Sequence, residues 1–374
     1  MKHRIASMPG DGIGPEIVDA ARGVIDRVSE KHGFSIDWID FPNGADHYLK
    51  SGATLDEEDI KKLASCQAIL LGALGDPRVK PGILEKGVLL KLRFALDQYV
   101  NLRPVKFFPG VDVPISTKGR ENLSMYFIRE NTEDFYVGLG NRFIGRSNRA
   151  QIHLDRKNYQ MEFDIGASVK GDAEETAYQI GVITKGGARR VMKYAFELAV
   201  RKGKDKVTCV DKANVITEMY GLWRDAYVEV AAGYPNIQTE YAFVDAVAMT
   251  MVKNPERYSV LVTPNLFGDI LTDLGAGIQG SLGLSPGGNI NPDGVSMFEP
   301  IHGSAPKYAG KGIANPVATI LAGQMMLENI GEMKAAEDLE KAVYTVLIEK
   351  KVRTPDLGGT DKTKDIAKAI ADKL

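Results

Sequence analysis

Cysteine is nearly absent from this chain: Cys66 and Cys209 are the only two in 374 residues, far apart and outside any CxxC spacing, which excludes a disulfide framework or a cysteine-based zinc site. Such usage fits a reducing compartment, and the expected location is the cytoplasm. An excess of one charge is also missing. The 47 basic and 49 acidic residues nearly cancel and form no long run, so a nucleic-acid-binding or anionic-membrane surface has little support. No apolar stretch approaches the roughly 20 residues that span a bilayer, and the opening MKHRIASMPGDGIG lacks the apolar core of a signal peptide. The dinucleotide fingerprint GxGxxG is absent as well, because PGDGIGPE places Pro15 where its last glycine would stand.

What the chain does have is size: 374 residues, 44% of them apolar, exceed one average core and predict two domains. Short apolar runs alternate with amphipathic stretches, the pattern of an α/β fold. Residues 4–8 read as a strand that passes through PGDGIG into a helix over 15–31, proline being suited to a first helical turn. Residues 68–71 read as a buried strand, and 124–128, 206–210 and 258–262 repeat the theme. Helices are predicted over 87–99 and in the terminal segment DKTKDIAKAIADKL. Between about 140 and 171, QIHLD and YQMEFDI alternate polar and apolar residues, which fits a β-arm able to clasp a second subunit and, equally, a long surface loop.

Several residues stand out chemically. In NLFGDILTDLG, Asp269 and Asp273 lie four apart on one helix face, where two carboxylates can share magnesium or manganese. Such a pair is usually a solvated acidic face, but here its neighbours are apolar residues and glycine. Arg93, Arg103 and Arg129 stand among apolar residues at the starts or ends of predicted elements. Singly each reads as a surface ion pair; together, beside the aspartates, they suggest a substrate with more than one carboxylate. CVDKANV sets Lys212 just after a strand, where α/β folds bind ligands; it is either an exposed loop lysine or, desolvated beside a cation, a base. EPIHGSAPKYAGKGIANP, with His302, Lys307 and Asn315, is a small-residue loop that could hold a nucleotide or serve as a structural crossover.

In order along the chain, PGDGIGPEIV, NLRPVK, RENTEDFYVG, DKANV, NLFGDILTDLG and EPIHGSAPKYAGKGIANP resemble the β-decarboxylating dehydrogenases, the family of isopropylmalate, isocitrate, homoisocitrate, tartrate and D-malate dehydrogenases. The resemblance covers nearly the whole chain. It implies a two-domain α/β isopropylmalate dehydrogenase-like fold without Rossmann topology. The cofactor-binding first domain would comprise 1–99 and 280–374; the second, 100–279, would hold the dimer interface, the metal aspartates and the arm as clasp. The implied activity is oxidative decarboxylation of a malate-type 2-hydroxy acid, with NAD or NADP and Mg2+ or Mn2+. Arg93, Arg103 and Arg129 match the arginines that hold the malate carboxylates, Tyr136 the catalytic tyrosine, and Lys212 the lysine opposite it. Asp245, Asp269 and Asp273 match the metal aspartates, Lys212 and Asp245 reaching the partner's site in a homodimer or larger homo-oligomer. Asn214, Glu299, His302, Gly303, Ser304, Ala305, Lys307, Tyr308 and Asn315 match cofactor positions.

Substrate choice is read from EKGVLLKLR, ahead of Arg93. Isocitrate enzymes resemble SxN there, whereas this chain has Gly87 and Leu89. Leu89 and Leu90 match the apolar pair that contacts an isopropyl group, and Lys86 stands where a Glu is common. GALGDPRV and FALDQYVNLRPV are closer to tartrate and D-malate enzymes, DKANV and TPDLGG to isopropylmalate enzymes. The resulting expectation is conversion of 3-isopropylmalate to 4-methyl-2-oxopentanoate and CO2 in leucine biosynthesis; the alternatives are D-malate or tartrate, then isocitrate or homoisocitrate. Lys307 and Tyr308 after HGSAP resemble NADP-dependent isocitrate enzymes, so acceptance of NADP is expected. A non-catalytic regulatory subunit, also known in the family, would have lost the lysine, tyrosine or aspartates that this chain retains.

Overall fold

The computed structural model describes residues 1–116, 123–171 and 173–374. Fourteen strands are defined among them: β1 (Lys2–Gly10), β2 (Ser35–Asp40), β3 (Ala68–Ala73), β4 (Val100–Lys106), β5 (Ser124–Glu130), β6 (Asp134–Ile144), β7 (Ser147–Arg156), β8 (Tyr159–Ser168), β9 (Glu175–Val182), β10 (Lys206–Asp211), β11 (Gln238–Phe243), β12 (Val260–Thr263), β13 (Pro286–Ile290) and β14 (Ser296–Pro300). Ten form one sheet, in the order β11-β10-β12-β5-β4-β13-β14-β3-β1-β2. Its outer pairs are parallel, while β13 with β14, β13 with β4, and β4 with β5 run antiparallel at its centre. That mixed centre is incompatible with an all-parallel dinucleotide fold. β3 (AILLGA) and β12 (VLVT) are buried at every residue, as strands covered on both faces must be.

Helices supply that cover. In Gly14–Lys31 the buried residues Ile17, Val18, Ala21, Val24, Ile25 and Val28 recur at helical spacing and make one apolar stripe. Helix Val317–Asn329 is mostly apolar and buried on every side from Val317 to Leu327, and it runs through the interior between β13, β14 and the Gly14–Lys31 helix. Among the described residues no helix is long and apolar enough to cross a membrane.

The carboxyl ends of β1, β3 and β14 lie side by side, and PGDGIG knots them together. Gly12 has φ 59°, and a Cβ there would stand 2.0 Å from the Ser304 carbonyl oxygen, so only glycine lets the loops meet. Ile13 N donates to that carbonyl at 2.8 Å, and the buried Asp11 carboxylate accepts from Ala45 N and Gly75 N at 2.7 and 2.9 Å.

Three expectations change. The helix predicted over 87–99 is a π-helical turn, Glu85–Leu90, followed by a short α-helix, Lys91–Ala95. Asp97 adopts the left-handed conformation, φ 47°, while Asp97 N and Gln98 N fold back onto the Phe94 and Arg93 carbonyls at 3.2 and 2.8 Å. This closing motif usually advertises itself with glycine, and here it does not. Arg103 stands in the middle of β4, not at an element's end. The 140–171 segment belongs to a wider run of strands: β7 and β8 form a ten-pair antiparallel hairpin from Ser147↔Ser168 to Arg156↔Tyr159, and β6 pairs with β9 at its base. Side chains along β8 alternate between half-buried and exposed, which is why the strand period shows in the sequence.

Candidate active site

Adjacent strands bring two arginines together. In the β4–β5 register Arg103 faces Phe127 and Arg129 faces Asn101, so the two arginines are diagonal neighbours on one face. Arg93, from the short helix, completes the cluster. All three are buried, at 3%, 7% and 1% exposure for Arg93, Arg103 and Arg129, so they are not surface ion pairs. Arg129 donates from Nη2 to Asn265 Oδ1 at 2.7 Å and pairs through Nη1 with Asp269. Arg103 donates to Thr272 Oγ1 at 2.6 Å and lies 3.3 Å from Asp269 and 3.7 Å from Asp273; Arg93 lies 3.5 Å from Glu299. Arg93 Nε and Arg103 Nε are buried without a hydrogen-bond partner among the described residues. Burial, aided by the neighbouring arginines, pushes the Arg93 pKa down to about 10, which still leaves it ionised at neutral pH. Buried guanidinium groups with spare donors are chemically suited to receive a carboxylate.

Arg93 and Arg103 open on a cavity of about 160 Å³ whose walls also include Leu89, Glu85, Glu299 and His302, with Arg129 set behind it. Lys86 is turned elsewhere, into a separate hollow with Thr54 and Lys80, and Leu90 lines neither. Within the π-helical turn Glu85–Leu90, Glu85 and Leu89 line the cavity and Lys86 does not.

Asp269 and Asp273 share one face of helix Asn265–Gln279, both within reach of Arg103. Tyr136, in β6, donates from its hydroxyl to Asp269 Oδ2 at 2.6 Å, with the Arg129 guanidinium 5.0 Å from its ring centre. Burial, and then that hydrogen bond, raises the tyrosine pKa, so the phenol carries its proton at neutral pH. Burial works to raise Asp269 as well, but Arg129, Arg103 and the Tyr136 hydroxyl outweigh it and hold the carboxyl below its usual range. Asp273 goes the other way, raised by burial.

Lys212 directly follows β10, and its Nζ donates to Asp245 Oδ1 at 2.7 Å. Asp245 begins helix Val244–Lys253 and leaves 67% of its side chain exposed. Among the described residues no three acidic, histidine or cysteine side chains of one chain gather as a metal site. The convergence of Asp245 with Asp269 and Asp273 is therefore not made within a single chain. The Asp269–Asp273 pair fits a hard divalent cation, which commonly takes one or two carboxylates and completes its shell with substrate oxygens and water.

A second hollow, about 620 Å³, is walled by Ile13, Leu282, His302, Gly303, Ala305, Tyr308, Asn315 and Asp356, and meets the arginine cavity at His302 and Gly303. Its rim is braced by Glu16, whose carboxylate accepts from Gly312 N and Ala314 N at 3.1 and 3.2 Å. The remaining candidates are dispersed. Ser304 turns inward and donates to the Gly75 carbonyl at 2.5 Å, Glu299 faces Arg93, and Asn214 is exposed beyond Lys212. Lys307 stands outside the wall with its Nζ 4.8 Å over the Tyr308 ring, Lys311 being 5.7 Å from the same ring. Burial lowers the His302 pKa, keeping the imidazole neutral at pH 7. Asp356 escaped the sequence reading. It accepts from Ser281 Oγ at 2.6 Å and Asn315 Nδ2 at 3.0 Å, a role that nothing local in TPDLGG signals.

Comparison with known proteins shows the family. The family model for isocitrate/isopropylmalate dehydrogenase matches residues 4–370. A 3-isopropylmalate dehydrogenase of Thermobifida fusca (strain YX) is 41% identical over 373 residues, covering 99% of this chain and 97% of that protein. One from Corynebacterium efficiens is 43% identical over 343 residues, covering 91% and 92%. Among solved structures, isocitrate dehydrogenase from Methylococcus capsulatus superposes with a TM-score of 0.84 at 38% identity, covering 99% of each chain. The chain belongs to the isocitrate/isopropylmalate dehydrogenase family and is a decarboxylating dehydrogenase.

Proposed function

We propose that the protein converts 3-isopropylmalate to 4-methyl-2-oxopentanoate and CO2, a step of leucine biosynthesis, using NAD or NADP and Mg2+ or Mn2+. One observation carries this reading: a small cavity in which buried arginines await carboxylates and Leu89 offers an apolar wall. Relatives at 41% and 43% identity carry that enzyme's name. The solved structure at 38% identity favours isocitrate as a second reading. Against it, Glu85 and Leu89 at the cavity wall offer a third carboxylate neither a cation nor a donor.

The residues divide the chemistry. Arg93, Arg103 and Arg129 orient the acid through its carboxylates. Lys212, contributed by a second copy with Asp245, takes the hydroxyl proton as C2 is oxidised. When bound, the divalent cation at Asp269 and Asp273 would polarise the C2 oxygen and the nicotinamide in the larger hollow would accept the hydride. After CO2 leaves, Tyr136 returns a proton to C3, and its raised pKa keeps that proton available.

Assembly follows from the exposed half of the site. Val215, Met249, Val252 and Ile270 are large apolar side chains left 44–68% exposed around Lys212, Asp245 and Asp269, and the β7–β8 hairpin has one face open. We take these as the surfaces of a homodimer with shared sites. Residues 1–99 with 280–374 would form one domain and 100–279 the other, following the halves of the strand order. Two buried free thiols support a cytoplasmic setting. Lys307 and Lys311 beside Tyr308 at the rim of the hollow favour acceptance of a 2′-phosphate. The direct test follows nicotinamide reduction with 3-isopropylmalate, D-malate, tartrate, isocitrate and homoisocitrate, each with Mg2+ or Mn2+. The highest kcat/KM is expected for 3-isopropylmalate; a higher value for any other acid overturns the assignment.

A further inference from the structure

Behind the arginine cluster lies a side chain with no role yet. Asn265, fully buried, accepts at Oδ1 from Arg129 Nε at 3.0 Å and from Nη2 at 2.7 Å, while its backbone carbonyl accepts from Nε at 2.9 Å. One edge of the guanidinium is thereby clamped, and only Nη1 is directed toward Asp269 and the site. The far end of the amide is held in turn. Its Nδ2 donates to Glu130 Oε2 at 3.4 Å and to the Glu133 carbonyl at 3.3 Å. Glu130 is fixed by Thr132 N, Thr132 Oγ1 and Glu133 N at 2.7, 2.9 and 2.8 Å. The next amide, Leu266 N, donates to Asp134 Oδ2 at 2.8 Å, so the same buried turn caps the helix that carries Asp269 and Asp273. Asp134 holds this position in a left-handed conformation, φ 61°, which the surrounding contacts impose.

We propose that Asn265 is a positioning residue for substrate binding: gripping the Nε–Nη2 edge of Arg129, it presents Nη1 to the carboxylate of the incoming acid. A neutral acceptor suits this task because it aligns the guanidinium without adding a second carboxylate to the one already supplied by Asp269. An aspartate would compete with the substrate for the same charge and would stand against Glu130. The inference rests on reading Arg129 as a substrate arginine, and the test separates the two.

Asn265→Ala, Asn265→Asp and Arg129→Lys are compared in the full-length enzyme, with the acid that the panel selects and with the nicotinamide varied separately. Loss of hydrogen bonds to a charged group predicts a rise of roughly tenfold or more in KM for the acid in Asn265→Ala, with kcat within a few-fold and the cofactor KM unchanged. Asn265→Asp should raise the acid KM as well, because it weakens the pull of Arg129. In an Arg129→Lys background Asn265→Ala should add nothing, since lysine offers no edge to grip. An unchanged acid KM in Asn265→Ala, when Arg129→Lys raises it, overturns the proposal; so does a parallel rise in acid and cofactor KM. If Arg129→Lys itself leaves the acid KM unchanged, the reading of Arg129 fails first. Should the alanine variant not fold, Asn265→Ser, whose oxygen is too short to reach the guanidinium, carries the same expectations.

Discussion

The arginine cavity and the ledge formed by Lys212 and Asp245 are built in opposite ways. The first lies inside one chain: its guanidinium groups are buried, Arg129 held by Asn265 and Arg103 by Thr272, and Arg93 and Arg103 line one small space. The second is open, with Asp245 exposed and apolar side chains uncovered around it. Under the proposed function, recognition of the acid would be carried by the interior of a single fold, whereas the group proposed for proton transfer stands on a surface. The proposed dimer would complete the site by assembly, and the contrast is open to direct test.

Breaking the ledge should have the largest effect. Lys212→Ala should lower kcat by about 10²–10⁴-fold, the usual contribution of a positioned acid–base group, with a small change in acid KM. Mixing it with Asp269→Asn and allowing subunits to exchange should restore activity, because one site of each hybrid has both groups intact; a mixture as inactive as its components would show that each chain works alone. Next comes Met249→Glu, which sets a charge on the exposed apolar face. By light scattering it should shift the enzyme to monomer mass with loss of turnover, and an active monomer would dissolve the contrast. Lys307→Asp should be milder, reducing the NADP/NAD ratio of kcat/KM roughly tenfold if the lysine meets a 2′-phosphate; an unchanged ratio shows that it points elsewhere.

The smallest effect concerns the interior alone. Burial, and then the Glu130 carboxyl beside it, pushes Glu133 up to about 7. A folded-state pKa above the unfolded one means that the stabilising contribution of this group is complete below the ordinary glutamate range and is lost as pH rises through about 7. Glu133→Gln should therefore show a shallower fall in Tm between pH 5 and 8 than the parent. Parallel Tm profiles would place that titration elsewhere.

Some of this was legible from the residues. The unbroken apolar runs at β3 and β12 announce strands buried on both faces, and Asp269 and Asp273 share a helix face because their spacing matches the helical period. Lys212 was placed at a strand's carboxyl end by the run KVTCV that precedes it. Less was legible where a local rule was broken. Asp97 closes a helix without glycine, so the helix reads too long, and the cavity takes Glu85 where the sequence pointed to Lys86.

By itself the sequence determined which side chains carry charge, which segments bury their apolar faces, and the six motifs that mark the family, since these follow from residue identity and local period. The tertiary structure alone decided that Asn265 grips Arg129, that Asp356 reaches the larger hollow, and that Asp245 stands apart from Asp269 and Asp273. Those relations join residues from different elements, and their geometry is set by how strands and helices pack, which no local pattern encodes.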